Sequence, residues 1–155
     1  YVLGINKYAE SIAENIEIDG FVDDFTEKES HRGKPVIKMP DIPKGSLVIS
    51  VVTLARPLTA INKLKKEGLI CLDYFRFVKY SGVDLKEIDL LTKSKQDIKE
   101  NFDSYQWIYN RLEDQKSKSI FNNIINFRVH NDLFYIEDFE YDEDQQYFEE
   151  FLNLK

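Results

Sequence analysis

All six glycines and all four prolines of this 155-residue chain lie before residue 84. These residues supply the tight turns and helix stops that let short elements follow one another closely. Residues 1–83 are therefore expected to be a turn-rich succession of brief strands and helices, and residues 84–155 to be helices joined by polar connectors. Charge divides the chain at the same place. Residues 1–83 carry 12 basic and 11 acidic side chains and residues 84–155 carry 9 and 17, so the net charges are +1 and −8. The expected organisation is a near-neutral module over 1–83 abutting an acidic helical connector over 84–155, with no internal repeat.

Within the first part, the apolar run Tyr1-Val2-Leu3 ends at Gly4, and Ile5, Ala9, Ile12, Ala13 and Ile16 follow at spacings of 3 and 4. That is a strand leading into an amphipathic helix. Ile18 to Val22 reads as a second strand ending at Asp23 and Asp24. Lys34 to Ile37 reads as a minor edge strand, because Pro35 has no N–H to give a ladder. Leu47 to Val52, apolar on both faces apart from Ser50, has the pattern of a buried parallel strand. A helix begins at Pro57, carries Leu58, Ile61 and Leu64 on one face and stops at Gly68. Leu69 to Phe75 supplies a fourth strand. Strands alternating with helices require crossover connections, hence an α/β fold: a Rossmann-like parallel sheet with flanking helices.

In the second part, Ser94-Lys95-Gln96-Asp97 has the form of a capping box. Ile98, Phe102, Tyr105, Tyr109 and Leu112 continue it as one helix with an aromatic seam. A second helix is expected from Ser117 to Val129, its inner face marked by Ile120, Phe121, Ile124, Ile125 and Arg128. A third is expected from Gln145 to Leu154. The aromatic residues read first as helix-packing core.

Composition excludes several functions. A formal charge of −7 and a pI near 4.9 argue against a nucleic-acid partner, since such proteins draw affinity from clustered Lys and Arg. One cysteine, Cys71, rules out an internal disulfide, and its place in an apolar strand reads as an inert thiol. Two histidines make a zinc site improbable: His31 reads as a solvated loop residue and His130 as the cationic end of a helix. The stretch from Glu137 to Glu150 holds eight carboxylates and no basic residue, but without the spacing of a calcium loop. No apolar run approaches the roughly 20 residues that span a bilayer. A cytoplasmic protein without a membrane span is expected.

Chemistry concentrates at the ends of the predicted strands. Gly4-Ile5-Asn6-Lys7-Tyr8-Ala9 stands where a dinucleotide fold keeps its phosphate loop, and Asp23 follows Gly4 by 19 residues, near the usual place of the ribose acid. Asn6, however, occupies the position of the second glycine, and its side chain obstructs a pyrophosphate, so NAD is disfavoured. Open parallel sheets bind ligands outside the carboxyl ends of their strands. The candidate ligand-binding residues are therefore Gly4, Asn6, Asp23, Asp24, Val52, Thr53 and Arg56. The two carboxylates would accept hydrogen bonds from a sugar or uracil, or else merely cap a turn, and Arg56 would meet a phosphate. No catalytic residue is assigned, because no Ser/His/Asp order, nucleophile elbow or P-loop is present.

Gly4-x-Asn6-x-x-Ala9, Gly20-Phe21-Val22-Asp23-Asp24 and Gly33-Lys34-Pro35-Val36 resemble the amino-terminal domain of bacterial sugar O-acyltransferases. That resemblance implies a Rossmann-like domain binding a UDP-sugar over about residues 1–80. The acyltransferase's own hexapeptide repeats have no counterpart after residue 83. Tyr109-Asn110-Arg111-Leu112-Glu113-Asp114-Gln115-Lys116-Ser117, Ile124-Ile125-Asn126-Phe127-Arg128 and Gln145-Gln146-Tyr147-Phe148-Glu149-Glu150-Phe151 resemble the segment preceding the catalytic domain in FkbM-family methyltransferases. This second resemblance spans essentially the whole chain. It implies a strand and a glycine-rich S-adenosylmethionine loop just after Leu154, an expected cofactor for the full-length protein and none in this segment. The expectation is a catalytically silent amino-terminal region that positions a nucleotide-linked sugar or glycan substrate, or mediates assembly. The alternatives are a stand-alone nucleotide-sugar or regulatory module, and a homodimer formed through the aromatic helices.

Overall fold

In the computed structural model, residues 1–54, 56–88 and 91–138 are described. The expected helix from Gln145 to Leu154 and most of the acidic stretch lie outside them. The elements are β1 (Val2–Leu3), α1 (Lys7–Asn15), β2 (Phe21–Val22), β3 (Ser30–His31), β4 (Lys34–Ile37), β5 (Leu47–Ser50), α2 (Pro57–Lys66), β6 (Ile70–Asp73), α3 (Tyr74–Tyr80), α4 (Ser94–Glu100), α5 (Phe102–Arg111) and α6 (Gln115–His130). Single 3₁₀ turns occupy Met39–Asp41 and Leu133–Ile136. The six strands form one sheet in the order β3-β4-β2-β1-β5-β6, parallel throughout except for the β3–β4 pair. This is the expected α/β, Rossmann-like architecture with flanking helices, followed by helical segments.

Alternation along the short strands sends side chains to two separate cores. Val2, Phe21 and Ile49 join Ile12 of α1 and Tyr74 of α3 on one side. Their neighbours Leu3, Val22 and Val48 join Met39, Leu64 of α2 and Leu69 on the other. Both faces of the central strands are thus covered, as continuous apolar runs require.

Three elements differ from the sequence reading, each for a local reason. β4 lies one strand in from the edge rather than at it. The hydrogen bond to its outer side is made by the Val36 N–H, which donates to Glu29 O at 2.9 Å, so the missing N–H of Pro35 is not needed there. The outer strand β3 returns through a two-residue turn in which Arg32 (φ 51°) and Gly33 (φ 75°) are both left-handed, the geometry whose twist matches a hairpin. The last predicted strand ends at Asp73, not Phe75, because the Asp73 carboxylate accepts the Arg76 N–H at 2.9 Å and starts α3. The single helix expected through the aromatic seam is two, α4 and α5. At the break, Asn101 (φ −111°, ψ 24°) turns its amide onto the Asp97 carboxylate at 2.9 Å and competes with helical backbone bonding.

The change of charge at residue 83 is not a break in packing. The Tyr74 hydroxyl donates to Lys86 O at 2.7 Å, and the Lys86 N–H donates to the Ser11 hydroxyl at 2.8 Å. Leu85, Ile88 and Leu133 belong to the same core as Val2 and Tyr74. Phe127 of α6 meets Phe75 edge to face at 5.5 Å. Phe127 is the α6 side chain packed on that core, whereas Ile120 and Arg128, expected on the inner face, are exposed. α5 buries no residue completely. It leans Tyr105 and Tyr109 on Phe121 of α6 and leaves Phe102 and Trp107 exposed.

Candidate functional site

Gly4 ends β1 with φ 102°, and a Cβ there would stand 3.2 Å from Val51 Cγ2. Both the conformation and the close approach of β5 call for glycine. Two residues later Asn6 caps α1: its Oδ1 accepts the Tyr8 and Ala9 N–H groups at 2.9 and 3.2 Å, and its Nδ2 donates to Val51 O at 3.1 Å. The N-terminus of α1 is therefore closed by its own side chain. The Tyr8 and Ala9 N–H groups, which a dinucleotide pyrophosphate at this turn would need, are already taken by Asn6.

At the end of β2 the two carboxylates act differently. Asp23 Oδ1 accepts the Phe25 and Thr26 N–H groups at 2.9 and 3.2 Å, capping its own turn and holding Phe25 out at 95% exposure. Asp24 reaches across the sheet end instead. It accepts the Met39 N–H at 2.8 Å and pairs with Lys63 of α2 at 2.7 Å. Burial opposes its ionisation, but the Lys63 ammonium and the Met39 N–H outweigh that and hold its carboxyl below the usual range. The Lys38 ammonium donates to the carbonyls of Asp23, Asp24 and Thr26, which fixes the loop that carries both acids.

Between these groups lies a cleft of about 310 Å³ at the carboxyl ends of β1, β2 and β5. Its walls are mostly apolar, from Leu3, Val22, Met39, Val52 and Ala60, with Phe25, Lys63 and Arg56 around them. Of the seven residues singled out in the sequence, Gly4, Asp23, Asp24, Val52 and Arg56 line it. Asn6 and Thr53 line a shallower neighbouring groove that shares Val52. Phe25, Lys38 and Lys63 were not singled out. The Asx turn begun by Asp23 could have drawn attention to Phe25, but nothing in the sequence ties Lys63, 39 residues away, to Asp24.

Elsewhere, the Cys71 thiol is pushed up to about 11 by burial, with Asp73 adding to it, so it is no nucleophile at neutral pH. His31 is not a solvated loop residue: the hairpin lays its ring edge-on to Phe21 at 5.0 Å, with Nε2 3.5 Å from Glu10. His130 ends α6 and stacks on Tyr135 at 5.4 Å. Among the described residues no cluster of three His, Cys, Asp or Glu side chains could hold a metal ion, and no helix is long and apolar enough to cross a membrane.

No family model and no curated protein matches the chain. Among solved structures it is similar to the methyltransferase FkbM from Methylobacillus flagellatus KT, with a TM-score of 0.53 and 18% identity over 97% of this chain and 44% of that one. The chain thus spans less than half the length of that structure, and at this identity what the two share is the fold.

Proposed function

We propose that this chain is the non-catalytic, substrate-positioning region of an FkbM-like methyltransferase acting on sugar hydroxyls, and that the cleft beside Gly4 holds a nucleotide-linked sugar. The carrying observation is the likeness over nearly the whole chain to the methyltransferase FkbM structure, of which this chain matches under half. The shape of the cleft supports the ligand class. Apolar walls and the exposed Phe25 ring suit a planar base. Arg56 and Lys63 offer cations to a diphosphate, and Asp23, whose bonds run through Oδ1, can present Oδ2 to ribose hydroxyls. Because Asn6 closes the first turn, no methyl-transfer step is assigned to these residues, and S-adenosylmethionine belongs to the full-length protein in this reading.

Thermal unfolding with added UDP-glucose or UDP-N-acetylglucosamine tests the reading. A ligand at about 100 times its Kd stabilises by about 2.7 kcal/mol, so the melting midpoint should rise measurably, while NAD should leave it unchanged. Arg56→Ala and Phe25→Ala should each reduce the rise. If neither UDP-sugar shifts the midpoint, or if the shift survives both substitutions, the cleft is not the site.

A further inference from the structure

α5 is attached to the rest of the molecule along one side. Tyr105 and Tyr109 lean on Phe121 of α6, with ring centroids 6.4 and 6.3 Å away, and the Tyr105 hydroxyl donates to Asp97 of α4 at 2.6 Å. Trp107, two residues from either tyrosine, stands on the far side of the helix. It is 56% exposed, and Ile108 beside it is 42% exposed. A helix of ten residues with none of them buried carries apolar surface that the single chain does not use.

That outer face is complementary to itself. Asp103 and Arg111 lie about one turn before and one turn after Trp107, all three exposed and in one row. The Arg111 guanidinium is already stacked over the Trp107 ring at 3.3 Å and gives one N–H to Trp107 O at 3.5 Å, which leaves its other donors to take a carboxylate. Among the described residues neither Asp103 nor Arg111 is in an ion pair. They are the only charged residues of α5, which is thus neutral within a half of the chain whose net charge is −8. A strongly charged partner finds nothing to match there. A two-fold contact between copies, by contrast, needs a surface that matches its own image. Antiparallel pairing of two α5 helices about Trp107 provides one: tryptophan meets tryptophan at the axis, and Asp103 comes opposite the partner's Arg111 at both ends together. We propose that the outer face of α5 is a homodimer contact of this two-fold, antiparallel kind, with Trp107 at its centre. About 15 Å of helix from each copy buries less than the roughly 1,200 Å² of a standard interface, so the dimer is weak and concentration-dependent. The contact does not depend on any ligand in the Gly4 cleft.

Sedimentation of the whole chain over rising concentrations tests it. Wild type should pass from monomer to dimer. Trp107→Ala should weaken the association by about tenfold or more, as loss of a central aromatic anchor does. Asp103→Arg sets arginine against arginine across the axis and Arg111→Asp sets aspartate against aspartate, so each variant alone should associate at least about tenfold more weakly than wild type. Mixed in equal amounts, these two variants should recover most of the association, because every arginine then meets an aspartate. Melting midpoints close to wild type establish that the variants fold. A monomer at every concentration overturns the proposal and leaves the face to a different occupant. A dimer that survives Trp107→Ala and both charge reversals places the contact elsewhere and also overturns it, as does a mixture that associates no better than its two components.

Discussion

Single residues at the sheet ends carry consequences out of proportion to their size. Gly4 has no substitute: Gly4→Ala forces a side chain into φ 102° and against Val51, and should cost about 1–3 kcal/mol in chemical denaturation. Asp24 links stability to pH with a definite sign. Its folded-state pKa is depressed, so its contribution is complete above the ordinary carboxylate pKa of about 4 and is lost as the pH falls through the lower folded value. Wild type should therefore be more stable than Asp24→Asn near neutral pH, and urea titrations in acid should show the gap closing. Because both partners are partly solvated, the gap should be modest, about 1 kcal/mol or less. The sequence placed both acids at a strand end because strand ends follow from turns. It could not show which would cap its own loop and which would reach α2, since that depends on Met39 and Lys63 arriving from other parts of the chain.

At the scale of elements, α6 and α5 look alike in sequence and differ in attachment. Phe127→Ala removes the ring that meets Phe75 and should destabilise by about 2 kcal/mol or more, at the lower end for such truncations because Phe127 is only half-buried. Trp107 stands exposed, with the Arg111 guanidinium 3.3 Å over its ring. Trp107→Ala should cost under about 1 kcal/mol in the same assay. Tyr74→Phe leaves Lys86 O without its donor and should cost about 1 kcal/mol, with faster amide hydrogen exchange around residue 86. Strand and helix order was legible from apolar spacing, because the central strands are buried on both faces and α1 and α2 on one. The α4–α5 break and the inward turn of Phe127 were not. Asn101 is decided by a bond to Asp97, and Phe127 by where α3 presents Phe75; periodicity records neither.

The whole molecule holds together across the point where its composition changes. Tyr74 is completely buried and Leu133 is 1% exposed, and both sit in the core that also contains Val2 and Ile88. Cutting the chain after residue 83 would strip Leu85, Ile88, Phe127 and Leu133 from that core. Residues 1–83 alone should lose cooperative thermal unfolding and bind a hydrophobic dye, whereas the whole chain should melt in one transition. Charge and turn content therefore mark a change of architecture, from sheet to helices, across a shared core.

The hairpin turn at Arg32 bears on how the molecule avoids its own copies. β3 offers only Ser30 and His31 at the sheet margin, and Arg32 ties the turn beside them to Glu14 of α1 at 2.6 Å. An intruding strand would find two residues to pair with and a fixed charged turn in its path. On that side the sheet is sealed against fibril-like growth by a strand too short to serve as a template.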